Sequence, residues 1–287
     1  MIHLSGMWKK DRVRWVLAIC LFVFSLQFAG CAYLMPKTAA LDKIHETYRA
    51  DFQKYVLLSV PEPSRNPTTE RNNSPLFDET LRAIRSYRVQ YGEESQEAAH
   101  LKVLEGMIYL QSGQYGMARL LKDDVGKAQG KLISKTGSYT RDQLLAITFP
   151  SLIDGWEQTT TEGVDVKILE DAADKLKTEL GRLDQKKLAD PEVDEGAVYI
   201  ATTTAIFYVW VYSRKALGCE HKTDCLTKTK KEYFGKGRDL IGSYLSETEK
   251  KAALEAGKTG DLPPGRLRYI QWYGYLLQQS NATGKIE

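Results

Sequence analysis

Along most of the chain, apolar residues recur at steps of three and four rather than two, the period of a helix with one buried face. Leu41, Ile44, Tyr48, Phe52, Tyr55 and Leu58 predict a first helix over residues 39–58. The run 60–74, with three prolines and three asparagines, breaks the pattern and reads as a surface loop, either a spacer or a functional segment. Ser74-Pro75 is a strong helix start, after which Phe77, Leu81, Ile84, Arg88 and Tyr91 share a face up to Gly92. Ser95 caps the next helix, which carries Ala98, Leu101, Leu104, Ile108 and Leu110 and stops at Gly113. Gln114-Tyr115 turns directly into a helical run through Met117, Leu120, Leu121 and Val125. Two helices joined by so short a turn must pack as an antiparallel hairpin.

A polar link over 130–137 leads to a helix over 141–157, in which Pro150 predicts a bend near Phe149. After a threonine-rich joint at 158–163, Ile168, Leu169, Ala172, Ala173, Leu176, Leu180 and Leu183 define an amphipathic helix over 164–188, with lysines and acids on its other face. Asp190-Pro191 opens the next helix, and residues 196–213 then run for eighteen positions without a charge. That is long enough to cross a membrane, but three threonines and three tyrosines point instead to a central helix buried on most sides. Its Tyr199, Tyr208, Trp210 and Tyr212 either pack as ordinary core or wall a ligand pocket. A helix over 229–245 carries Tyr233, Phe234, Leu240, Ile241, Tyr244 and Leu245, and Ser246 with Glu249 forms a capping box for a short helix to Ala256. Past a Gly/Pro loop at 257–265, the last helix (266–279) stacks Leu267, Ile270, Tyr273 or Gly274, and Leu277, with Trp272 on another side. No alternating strand pattern survives, so the fold class is all-α: stacked antiparallel helical hairpins over 75–287, as a solenoid or an irregular bundle.

Gly106, Tyr109, Gly113, Tyr115 and Ala118 follow the spacing G-x-x-Y-x-x-x-G-x-Y-x-x-A. This resembles the core of a tetratricopeptide repeat, in which small residues let two helices approach closely and tyrosines fill the groove between hairpins. The resemblance covers one partial repeat, with Lys102, Glu105, Lys122 and Gly130 departing from the family pattern and no second copy at a period of 34.

Residues 1–30 have a different character. Lys9, Lys10, Arg12 and Arg14 precede an apolar run, Trp15 to Phe28, that ends in Ala29-Gly30-Cys31. A charged start, a run too short to span a bilayer and small residues at the cut make a secretory signal. The arrangement resembles the bacterial lipoprotein signal family, in which the cysteine after the small residues becomes the acylated N-terminus; Phe28 stands where leucine is usual. The resemblance implies cleavage before Cys31 and a lipid anchor there. Ala32 in the following position implies the outer membrane, on its periplasmic face. Residues 31–74 then hold the lipidated cysteine, a tether, the first helix and the Pro/Asn loop. An ordinary secretory signal with Cys31 as a plain thiol, and an uncleaved anchor, are the alternatives.

The formal charge of +3 falls to about zero once the leader is removed, which leaves no basic footprint for nucleic acid. Two cysteines then remain besides Cys31, namely Cys219 and Cys225 in a polar turn. In an oxidising compartment their default is a disulfide, while Cys219, His221 and Cys225 as three metal ligands would lack a fourth and the usual spacing. His45, His100 and His221 are scattered, and the adjacent acids Glu93-Glu94 and Asp123-Asp124 cannot converge on one site. No nucleophile elbow, zinc-protease, P-loop or dinucleotide motif occurs, so neither an enzyme nor a cofactor is expected. The expectation is a lipid-anchored scaffold or adaptor that binds another envelope protein. The alternative is a small-molecule binder tied to transport, with its pocket near residues 199–212.

Overall fold

The computed structural model describes residues 36–58, 74–132, 141–160, 165–183, 191–254 and 264–281. Within these the chain forms eleven α-helices and no strand. The leader, Cys31, most of the 60–74 loop, residues 255–256 at the end of the predicted short helix and the 257–263 part of the Gly/Pro loop lie outside the described residues. The first helix, α1 (Lys37–Leu58), buries Ile44, Tyr48, Phe52 and Tyr55, the stripe that its three-and-four spacing predicts. A 3-10 turn (Ser74–Phe77) leads into α2 (Asp78–Tyr91), so the predicted start at Ser74-Pro75 becomes α-helical only at Asp78.

Side chains and glycines punctuate the chain as the sequence requires. The Ser95 hydroxyl accepts from Ala98 N at 3.2 Å to open α3 (Gln96–Gln111), and Gly113, at φ 74°, closes its end in the left-handed region open to glycine. Asp165 accepts from the amides of Lys167 and Ile168 to start α7 (Val166–Gly181). At α10 (Glu247–Leu254) the capping box is reciprocal: Glu249 N donates to Ser246 Oγ at 3.3 Å and Ser246 N donates to Glu249 Oε2 at 2.8 Å.

The core is organised around α8 (Pro191–Leu217), which touches α6 (Arg141–Thr160), α7, α9 (Thr223–Gly242) and α11 (Pro264–Asn281). Its 22-residue apolar stretch, Gly196–Leu217, has membrane-span length and a mean hydropathy of 1.2, yet 83% of that window is buried by these neighbours. Of the three threonines there, Thr202 and Thr204 donate to the carbonyls of Val198 and Ile200 at 2.7 Å, while the buried Thr203 hydroxyl has no hydrogen-bond partner among the described residues. Close approach to α6 depends on Gly155, where a Cβ would fall inside the Phe207 ring. A single apolar cluster runs from Ile44 in α1 to Leu276 in α11, and α1 packs on α2 and α11 within it.

Several local expectations need correction. Helix α6 runs past the expected end at Glu157 to Thr160, with Pro150 inside it at the cost of one amide donor. The second helix of the hairpin is two pieces, α4 (Tyr115–Leu120) and α5 (Lys122–Lys131), and Met117 and Leu120 are exposed at 43% and 74%. The small residues Ala118 and Ala128, with Val125, are buried in their place. On α11 the buried face is Arg268, Tyr269, Ile270, Trp272 and Leu276, rotated from the one read off the leucines. It includes Arg268, a charge that periodicity assigns to solvent: its Nε donates to Thr202 Oγ1 at 3.2 Å and its guanidinium lies 5.0 Å from the centre of the Tyr55 ring. Cys219 and Cys225 lie at disulfide distance, with sulfurs 2.00 Å apart, across the turn between α8 and α9.

Two stability predictions follow from this packing. Gly155→Ala should destabilise by about 1–3 kcal/mol through overpacking against Phe207. Gly126→Ala, whose Cβ would meet nothing within 4 Å, should stabilise by about 0.5–1 kcal/mol; urea melts of both variants check the contrast. Reducing the Cys219–Cys225 bridge closes no distant elements together, so it should cost about 2 kcal/mol and leave the helical circular dichroism at room temperature unchanged.

Candidate functional site

Helices α7 and α9 both lie against α8 but do not pack face to face with each other. One carboxylate joins them. Glu170 on α7 accepts from Tyr233 OH on α9 at 2.7 Å and from Lys215 Nζ on α8 at 2.8 Å, and Lys236 Nζ lies 3.6 Å away. Burial alone would raise the Glu170 carboxyl, but the hydrogen bonds from Lys215 and Tyr233 and the two ammonium groups hold it below the ordinary range. Burial and the neighbouring carboxylate push the Tyr233 phenol up to about 12, so it stays a neutral donor. Tyr208 is raised the same way, by burial first and then by its bond to Asp174 at 2.8 Å. Lys236 also sits 4.6 Å from the centre of the Tyr233 ring and 5.7 Å from that of Tyr208, which holds its ammonium over aromatic faces.

Beyond this tie, toward the C-terminal end of α7, the surface opens into a saddle of about 590 Å³ that crosses α9 and reaches the end of α11. Leu180, Leu183 and Leu240 supply apolar lining, and Tyr244 is fixed in the wall by its hydroxyl, which donates to the Leu180 carbonyl at 3.2 Å. Four cations and two carboxylates line it. Asp239 is answered by Arg238 at 2.7 Å and Glu232 by Lys236 at 3.5 Å. Lys177 and Lys231 have no ion-pair or hydrogen-bond partner among the described residues. The saddle therefore carries an uncompensated positive charge over a floor of buried leucines.

A second, smaller cleft of about 260 Å³ lies between α1, α3 and α6, lined by His45, Glu97, His100, Arg141 and Asp142. Its chemistry is already used internally. Asp142 accepts from Arg141 Nε at 2.8 Å, and His100 Nδ1 is 2.6 Å from its other oxygen. An ionised carboxylate only accepts, so His100 carries its proton on Nδ1. This pair ties α3 to α6, and among the described residues no group of three or more potential metal ligands forms.

The residues singled out from sequence are dispersed. Cys31 lies outside the described residues, and Cys219 with Cys225 pins the turn between α8 and α9, neither of them lining the saddle. Of the hairpin motif, Gly106 faces the Phe149 ring of α6, where a Cβ would come within 2.7 Å. Tyr109 is buried and donates to Glu105 at 3.3 Å, Gly113 ends α3, Ala118 is buried, and Tyr115 stacks on Trp156 with ring centres 5.4 Å apart. Of the α8 aromatics, Tyr199 and Tyr208 are nine positions apart, which puts them about half a turn from each other on the helix. Trp210 sits beneath Arg214, and Tyr212 meets Phe234 edge-on at 5.2 Å. None of the four lines either opening. Sequence reasoning missed Glu170, Lys177, Lys231 and the His100–Asp142 pair. The only signal for the lysines was the polar face of α7 and the basic start of α9.

The molecule is thus an all-α protein built on one enclosed helix, with a cationic saddle on its surface. No protein-family model matches the chain, and no curated protein or solved structure shows significant similarity to it.

The buried carboxylate gives a pH prediction. Burial pushes the Asp142 carboxyl up, but the Arg141 guanidinium and His100 outweigh it and hold it at about 2, against 3.8 for the free group. Its folded value is depressed, so its stabilisation is complete above the unfolded value and is lost as the pH falls from about 4 toward 2. Asp142→Asn should therefore be less stable than wild type by about 2 kcal/mol near neutrality. That gap should close at about pH 2, as read by denaturant melts at each pH.

Proposed function

We propose that this chain is a lipid-anchored scaffold or adaptor on the periplasmic face of the outer membrane, binding another envelope protein through its helical surface. Acyl chains on Cys31 would supply the location, and side chains presented by stacked helices would supply the recognition, with no reaction catalysed. The single observation that carries the binding role is the saddle across α9, where the exposed Lys177 and Lys231 stand without ion-pair or hydrogen-bond partners among the described residues. A cation left unpaired at the edge of a hollow is available to an incoming group. The cleft at Asp142, by contrast, has its charges committed to holding α3 against α6. The aromatic-pocket alternative gains no support from Tyr199 and Tyr208, which face opposite sides of α8.

The anchor is tested by Cys31→Ser, which should release the chain into the soluble periplasmic fraction or stall its processing. Membrane fractionation and maturation unchanged from wild type would count against acylation. The binding role is tested by crosslinking in intact cells followed by capture from solubilised envelope, with the native lipid attached. A defined envelope protein should be enriched over an unrelated lipoprotein bait, and the absence of any such protein would remove the adaptor reading.

A further inference from the structure

We infer that the end of the bundle where α1 begins is the surface that meets the bilayer, and that it does so as a charge-balanced face suited to zwitterionic lipid. The assignment rests on the acyl anchor proposed above and adds which part of the body faces the membrane. Three observations on different residues lead there.

The first is reach. Six residue steps separate Cys31 from Lys37, where α1 starts, and a fully extended chain covers at most about 20 Å in that many steps. Lys37 is itself fixed to the body, since its Nζ bonds to Glu97 in the first turn of α3 at 2.9 Å. Acyl chains on Cys31 therefore hold this junction, rather than any other part of the body, within about 20 Å of the lipid.

The second is how the helix ends are distributed. Lys131 at the end of α5 bonds to Glu94, just before α3, at 2.9 Å. His100 near the start of α3 lies 2.6 Å from Asp142 at the start of α6, and a Cβ on Gly196, early in α8, would come within 2.8 Å of Arg141. The starts of α1, α3, α6 and α8 and the ends of α2 and α5 thus share one end of the bundle. The 22-residue stretch Gly196–Leu217 then carries α8 away from that end for about 30 Å. Leu120 is distant too, because its neighbour Arg119 pairs with Glu157 late in α6. A body lying on its side would bring Leu217 and Leu120 to the lipid as readily as the α1 end.

The third is the chemistry of the near end. Four cations there are answered in place: Lys37 by Glu97, Arg88 by Glu93 at 3.0 Å, Lys131 by Glu94, and Arg141 by Asp142 at 2.8 Å. These pairs leave no surplus for anionic headgroups to recognise, unlike a polybasic membrane-binding segment. Val89, in the last turn of α2, is 81% exposed, the most of any large apolar side chain among the described residues, and it gains by leaving water.

The test uses the acylated full chain in nanodiscs of phosphatidylcholine, with intact mass reporting the acyl chains on Cys31. Three variants, Val89→Cys, Leu217→Cys and Leu120→Cys, each carry a fluorophore on the new thiol, the Cys219–Cys225 pair being bridged. All three side chains are at least 74% exposed, so the substitutions leave the core intact. Phosphatidylcholine with a nitroxide on its headgroup is the quencher. The label at position 89 should be quenched several-fold more than those at 217 and 120, and to the same extent when phosphatidylglycerol is mixed in or salt is raised to ~1 M. Quenching at 217 or 120 that equals quenching at 89 would overturn the assignment. So would quenching at 89 that needs phosphatidylglycerol or disappears in ~1 M salt. A mass that shows Cys31 bare would overturn the anchor reading and this assignment with it. An acylated chain quenched alike at all three positions overturns this assignment alone and leaves the anchor standing.

Discussion

An eighteen-residue stretch without a charge has to be enclosed, and that requirement arranges the rest of this fold. Helix α8 cannot be left facing water along residues 196–213, because apolar surface there costs roughly 25 cal/mol for each Å² exposed. Four other helices surround it: α6, α7, α9 and α11. Several polar groups along α8 are managed from within, although the buried Thr203 hydroxyl has no hydrogen-bond partner among the described residues. Thr202 and Thr204 bond back to their own helix, and Tyr208 reaches Asp174 at the edge of α7. The buried Arg268 on α11 is admitted on the same terms, through Thr202 and the face of Tyr55. Close approach is then limited by shape, which is why Gly155 must be bare beside Phe207.

The saddle is a by-product of that enclosure. Helices drawn to one central helix cannot all pack against each other as well, and α7 and α9 are such a pair. Where they come near one another, Glu170 binds them through Tyr233 and Lys215, a charged tie in a partly buried place that lowers the carboxyl in spite of its desolvation. Where they part, Leu180, Leu183 and Leu240 stay buried beneath the hollow, and the lysines of the two polar faces stand at its rim. The same fold thus produces one junction whose charges are all spent and one surface whose charges are not.

Reading the sequence recovers what is periodic and local. Ile44, Tyr48, Phe52 and Tyr55, the caps at Ser95 and Ser246, and the burial of α8 all follow from spacing within a few turns. Features that require knowledge of a distant neighbour do not. Arg268 is buried because Thr202 and Tyr55 receive it from 66 and more positions away, on a face of α11 that the leucines do not indicate. Pro150 sits inside a continuous helix, since one missing amide donor does not outweigh the contacts α6 makes with α7 and α8. The saddle is harder still, because it is defined by where helices fail to meet. Gly235 is indistinguishable in sequence from Gly237, and only the contacts around each tell a packing glycine from an open one.

Exposed lysines are individually weak handles. An ion pair at a surface contributes about 0.2–1 kcal/mol, so Lys177 and Lys231 together would give a partner little more than a preference for one sign of charge. An acyl anchor at Cys31, if the leader is processed as proposed, changes what such a preference can accomplish. A partner held at the same membrane meets the saddle at an effective concentration that linkage can bring to about millimolar, and at that concentration a weak, charge-selected contact is occupied much of the time. The chemistry of the rim and the chemistry of the leader are then two halves of one requirement, since a surface this modest is sufficient only for a protein that does not have to find its partner in free solution.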